Sequence, residues 1–208
     1  MIFSNQQDLN REKITDTYIW INNFAYYKKA VSKERWELVI ELLKKYHPEI
    51  SDTSLEASLQ MFNRLYSEAP DLHEGALSLL STTQLSAGRQ SLKTHANFEW
   101  TNLKLKELGI RHFFEKVIVV DENSFKDYAS WRTAIYTLNV DPKNVLVVGD
   151  NVNGDIIASH KAGVRNHVWV DLQNGWSIYK DGHESLPPNT VVVRKVIDWL
   201  KLLRQGKI

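Results

Sequence analysis

At 208 residues the chain is long enough for one α/β domain with a sizeable core and a small insertion, but two full domains would be cramped. Hydrophobic residues make up 43% and charged residues 25%, and a net charge of +1 gives no electrostatic case for nucleic acid or an anionic membrane as a partner. Cysteine is absent, which excludes disulfides and thiolate metal sites. The N-terminus has no basic segment followed by an apolar core, and no stretch reaches the roughly 18 uninterrupted apolar residues of a membrane helix, so a soluble, cytoplasmic protein is expected.

From Thr15 to about Ala69 the pattern is helical. YIWINNFAYYKKAV and KERWELVIELLKKYH place apolar residues every three or four positions with Lys and Glu between them. SDTSLEASLQMFNRLYSEA follows, with Ser51, Asp52 and Thr53 as candidate N-caps. The spacing predicts three or four helices and no strand, and the aromatic stripes read as core rather than as a ligand platform.

After Pro70 the texture changes. HEGALSLLSTTQLSAG reads as a helix ending at Gly88, RQSLKTH as a short strand, and NFEWTNLKLKELG as a helix stopped by Gly109. KVIVVDE is a buried strand, KDYASWRTAIYTLNV a helix, and NVLVVGD a second buried strand. DIIASHKA is a helix with Gly163 in the stop position, NHVWVDL another strand, and TVVV a last strand leading into the helix RKVIDWLKLLRQ. Such alternation with unbroken apolar strands predicts an α/β fold: a doubly wound, Rossmann-like parallel sheet covered by helices on both faces. Ligands in these sheets sit beyond the carboxyl ends of the strands, where VLVVGD delivers Asp150 and RQSLKTH delivers Thr94.

The stretch VLVVGDNVNGDIIASHKAGV sets two aspartates five apart after a strand, Asp150 and Asp155. A phosphate-binding P-loop would need Lys and then Ser or Thr after Gly154, where Asp155 and Ile156 stand. A calcium loop with Gly154 in its sixth position would begin at Gly149 and lack its acidic ligands. Two readings remain: the carboxylates share one hard cation, with magnesium the natural candidate, or Asp150 caps a turn and Asp155 sits in the first turn of a helix, favoured by its dipole. Thr94 and Lys126 arrive at neighbouring strand ends. One is able to donate a hydrogen bond to a phosphoryl oxygen and the other to place a cation where negative charge builds up.

From about Pro70 to Val170 these residues resemble the haloacid dehalogenase-like hydrolases, above all in NVDPKNVLVVGDNVNGDIIASHKAGV, which is similar to that family's acidic metal motif. The resemblance implies a family core over residues 1–14 and 70–208 and an inserted helical cap over 15–69 that closes on the site and selects substrates. It assigns Thr94 and Lys126 to phosphate binding, Asp150 and Asp155 to magnesium, and a small phosphorylated metabolite as ligand. Receiver domains also combine these residue types, but there the acids come first in the chain, against the order Thr94, Lys126, Asp150 and Asp155.

The family's nucleophile motif is not intact. The best register sets Ser4 at the nucleophile position, Gln6 at the acid/base position and Leu9 where a leucine is expected. Gln6 carries no titrating proton, and Ser4 has no evident base beside it. An alternative register makes Asp8 the nucleophile, but its strand, FSNQQ, is too polar for the centre of a parallel sheet. MIF is short for a central strand, as it would be were the first strand incomplete. The sequence therefore points to a catalytically impaired, pseudoenzyme-like relative that binds a phosphorylated small molecule through a weakened magnesium site. The alternative is an active magnesium-dependent phosphohydrolase. His160, His167 and His183 match no zinc spacing.

Overall fold

The computed structural model describes residues 11–86, 88–172 and 175–206. They form two compact units: one takes the described residues up to Ala69 with Ala96–Lys104 and Asp121–Ser124, the other Pro70–His95, Leu105–Val120 and the described residues from Phe125 onward.

The first unit is built on α1 (Arg11–Lys29), α2 (Glu34–Tyr46) and α3 (Asp52–Arg64). Ile21 and Ala25 on α1 and Val39 and Leu43 on α2 recur at four-residue spacing, so each pair shares a face. They close with Ile50 and Leu55 into one core cluster. Ser51 caps α3 by accepting the Ser54 N–H at 3.2 Å. The aromatic stripes divide rather than all entering the core. Phe62 is buried and stacks on Trp36 with ring centres 4.2 Å apart, whereas Trp20 and Tyr27 are 51% and 63% exposed. The Trp36 indole N–H donates to the Tyr66 hydroxyl at 3.1 Å, which donates to the Val31 carbonyl. Arg35 is buried, donates to Asn22 Oδ1 at 2.6 Å, and lies 4.5 Å from the centre of the Trp36 ring.

The second unit is α/β. Its strands are β1 (Ser91–His95), β2 (Lys116–Val120), β3 (Leu146–Gly149), β4 (Asn166–Val170) and β5 (Thr190–Val193). Among the described residues they form a two-stranded sheet, β1-β2, and a three-stranded sheet, β3-β4-β5, parallel throughout. Helices α4 (Ala76–Leu85), α6 (Tyr128–Leu138), α7 (Ala158–Lys161) and α8 (Val196–Arg204) belong to this unit, while α5 (Phe98–Glu107) divides between the two at Lys104. Val168, Val170, Val193 and Trp199 make one core cluster, and Trp131, Val147, Ala158 and Val164 another.

Three expectations need correction. The helix expected to reach Gly88 ends at Leu85, where the N–H and hydroxyl of Ser86 both turn back to the Thr82 carbonyl. The strand NVLVVGD is not wholly buried: Val147 is, but Leu146 and Val148 on its other face are 43% and 45% exposed. The helix expected from Asp155 to Ala162 begins as a π-helical turn over Val152–Ile157 before α7 takes over. Gly109 and Gly163 stand after their helices at φ of 63° and 104°, the left-handed conformation that ends a helix without a Cβ clash.

Candidate functional site

The site is organised by the turn after β3. Asn151 caps the π-helical turn by accepting the Gly154 N–H on its Oδ1 at 2.8 Å, and its own N–H donates to Asp155 Oδ2 at 3.3 Å. The turn folds so tightly over the strand end that a Cβ on Gly149 would stand 2.6 Å from the Asp155 side chain, so only glycine is accommodated there. Two indoles fix the carbonyls of the loop: Trp131 Nε1–H donates to Gly154 at 2.6 Å and Trp169 Nε1–H to Asp150 at 3.1 Å. The Ser159 hydroxyl donates to the carbonyls of Asp155 and Ile156, so its oxygen is left to accept from His167 Nε2 at 3.1 Å. That arrangement assigns the proton of the buried His167 ring to Nε2.

Lys126, two residues before α6, lays its Nζ 2.5 Å from Asp155 Oδ1, with side chains only 13% and 7% exposed. Asp150 lies beside this pair. Burial raises its carboxyl above the ordinary range and the neighbouring Asp155 adds to this, while Lys126 and His73 pull the other way. Thr94 is half-buried one residue before the end of β1, opposite Val119, and bonds to none of the other three. Structure thus joins Lys126, Asp155 and Asp150 in one place and sets Thr94 at a strand end of the same unit. Ser4, Gln6 and Asp8 lie outside the described residues.

Lys93 was not singled out by the sequence reading. It sits in the middle of β1 opposite Ile118, donates to the Ser130 hydroxyl at 3.0 Å, and lies 4.4 Å from the centre of the Trp131 ring. The signal was a single lysine inside the parallel strand β1, whose residues are all half-buried in the fold. The histidines scatter by role. His160 and His167 rings lie 5.6 Å apart edge to face, and His183 stacks against Trp169.

Among the described residues no three His, Asp or Glu side chains gather as a metal cage. Magnesium asks for less, taking one or two carboxylates and keeping several waters. Asp150, whose carboxyl is raised by burial and by a second carboxylate, is a group that a hard cation would favour in its ionised form, so the donor set fits a magnesium ion held by Asp150 and Asp155.

A family model for haloacid dehalogenase-like hydrolases matches residues 19–169, which takes in Thr94, Lys126, Asp150 and Asp155. The chain belongs to the haloacid dehalogenase-like hydrolase family. No curated protein matches it. Solved structures of the family share the fold at low identity. A haloacid dehalogenase-like family hydrolase from Xanthomonas campestris is 13% identical over 98% of this chain and 79% of its own, with a TM-score of 0.72. YfnB of Bacillus subtilis, assigned as a HAD-hydrolase and solved bound to magnesium, is 19% identical over 98% and 87%, with a TM-score of 0.63. A HAD phosphatase from Thermococcus onnurineus is 16% identical over 91% and 89%, with a TM-score of 0.56. Within the matched residues, Asp150 and Asp155 follow β3 and Lys126 stands two residues before α6. No helix among the described residues is long and apolar enough to cross a membrane.

Proposed function

We propose that this haloacid dehalogenase-like protein binds a phosphorylated small molecule in its α/β unit and is impaired in the covalent chemistry of its relatives. The observation that carries the reading is the buried Lys126–Asp155 pair beside Asp150: opposite charges held at a strand end, one able to face phosphoryl oxygens and the other a cation. Lys126 would orient and neutralise the phosphoryl group, and the Thr94 hydroxyl would donate to one of its oxygens. Asp150 and Asp155 would hold magnesium, which when bound supplies further positive charge to the phosphoryl oxygens. The helical residues 15–69 are the candidate cap that selects the substrate.

The impairment is argued from chemistry. With Ser4 and Gln6 at the nucleophile and acid/base positions, no carboxylate attacks phosphorus and no side chain there exchanges a proton with the leaving oxygen. Positioning and charge stabilisation do not replace a missing covalent step. A second reading, an active phosphohydrolase using Asp8, is favoured by the retention of Thr94, Lys126, Asp150 and Asp155 together.

The test is hydrolysis of an aryl phosphate with magnesium and with excess chelator, beside Asp150→Asn, together with calorimetric titration of inorganic phosphate. Phosphate binding without turnover is expected. Magnesium-dependent turnover that disappears in Asp150→Asn would establish the second reading instead.

A further inference from the structure

Lys93 is the charged group that the proposed function leaves unused. Its ammonium is met by neutral partners, the Ser130 hydroxyl at 3.0 Å and the face of Trp131 at 4.4 Å, and among the described residues no carboxylate lies within ion-pair distance of it. The same Trp131 ring donates its N–H to Gly154, directly before Asp155, so the lysine and the acidic loop are joined by one side chain. Three charged groups act on the ammonium across this gap: Lys126 from the segment before α6, Asp127 at the α6 N-cap, and Asp155 from the acidic loop.

Lys93 adds a second cation, beside Lys126, to the neighbourhood of Asp150 and Asp155, with Asp127 a further acid acting on it from the α6 N-cap, and each cation opposes the arrival of a divalent metal ion. We propose that Lys93 is a positioning residue of this site, a second cation whose field holds down the affinity of the acidic pair for a divalent metal ion. This rests on the reading that Asp150 and Asp155 are the metal ligands. The consequence is a weaker hold on a divalent cation near neutral pH than Asp150 and Asp155 would have without Lys93.

Burial, reinforced by Lys126, lowers the Lys93 ammonium to about 8, while Asp155 and Asp127 partly oppose the shift. The sign follows. Below pH 8 the ammonium is charged and repels the cation; as pH rises through about 8 the charge is lost and magnesium affinity increases.

The experiment is isothermal titration of magnesium chloride, without substrate, into the wild-type chain, Lys93→Met, Lys93→Arg and Asp150→Asn at pH 7, 8 and 9. Expected for wild type is a rise in affinity of about three- to tenfold from pH 7 to 9, the size of one charge acting over several ångströms at intermediate dielectric. Lys93→Met should bind more tightly at pH 7 and lose the pH dependence. Lys93→Arg, which stays charged, should remain weak at every pH. A wild-type affinity that is flat across this range and unchanged in Lys93→Met overturns the proposal, as does an absence of binding by wild type and Lys93→Met at pH 9. Unaltered binding in Asp150→Asn overturns the assignment of the metal ligands instead. The wild-type profile needs no substitution, so it decides even where Lys93→Met folds poorly.

Discussion

The helical unit and the α/β unit each bury a long cationic side chain, and they accommodate it in different ways. Arg35 in the helical unit donates to an amide oxygen and lies against the faces of Trp36 and Tyr26. Lys126 in the α/β unit meets a carboxylate, with Asp150 and Lys93 close by. A delocalised guanidinium packed on rings holds a fold together at almost any pH. A compact ammonium paired with one of two carboxylates sits in a balance of charge that an arriving anion or cation can shift. The first arrangement suits a structural role; the second is the one the proposed function assigns to ligands.

That contrast is broken most severely at Asp155. Asp155→Ala removes the partner of a buried ammonium and the acceptor of the Asn151 N–H, and should cost about 3 to 5 kcal/mol in urea unfolding. A smaller cost would mean that Lys126 escapes to solvent. Phe62→Ala in the helical unit removes a ring stacked on Trp36 and should cost about 3 to 4 kcal/mol. Hydrogen exchange should speed up in α2 and α3 while phosphate binding by the α/β unit is retained; loss of that binding would show that it depends on the helical unit.

A third expectation concerns pH. Burial, with some help from His160, lowers the His167 imidazole to about 4, and the ring is neutral in the folded chain. Between about 6.5, its unfolded value, and 4 the unfolded chain binds the extra proton, so stability falls as pH falls through that window. The loss should be on the order of 2 kcal/mol and should be reduced in His167→Asn, read from melting temperature against pH. The smallest effects are at the caps. Ser51→Ala in the helical unit and Asp127→Ala in the α/β unit each remove a side chain that accepts a first-turn N–H, and each should cost about 1 kcal/mol. Only Asp127→Ala should also alter the pH profile of magnesium binding, because Asp127 acts on Lys93 and Ser51 faces no such group.

Much of this was legible in residue order. Apolar strands alternating with amphipathic helices dictate a parallel sheet with helical cover, and the spacing of Asp150 and Asp155 after a glycine-ended strand identifies the acidic loop. These signals are local: periodicity, a cap residue, or a fixed number of residues between two acids. The role of Gly149 was less visible, since its need for no Cβ comes from the Asp155 side chain folding back over it, a contact made by a turn rather than by sequence neighbours. Ser159 and His167 lie eight apart in the chain and form one hydrogen bond, which no periodicity announces.

The sequence by itself determined the class of fold, the order of its elements and the residue types available to a phosphate and a hard cation. Tertiary structure alone decided which charges act on one another. Lys93, Lys126 and Asp155 come from a strand, the approach to a helix and a π-helical turn; Trp131 touches both Lys93 and the turn, and Lys126 meets Asp155 directly. Electrostatic energy depends on distance and on the dielectric between charges, and both are properties of the folded chain.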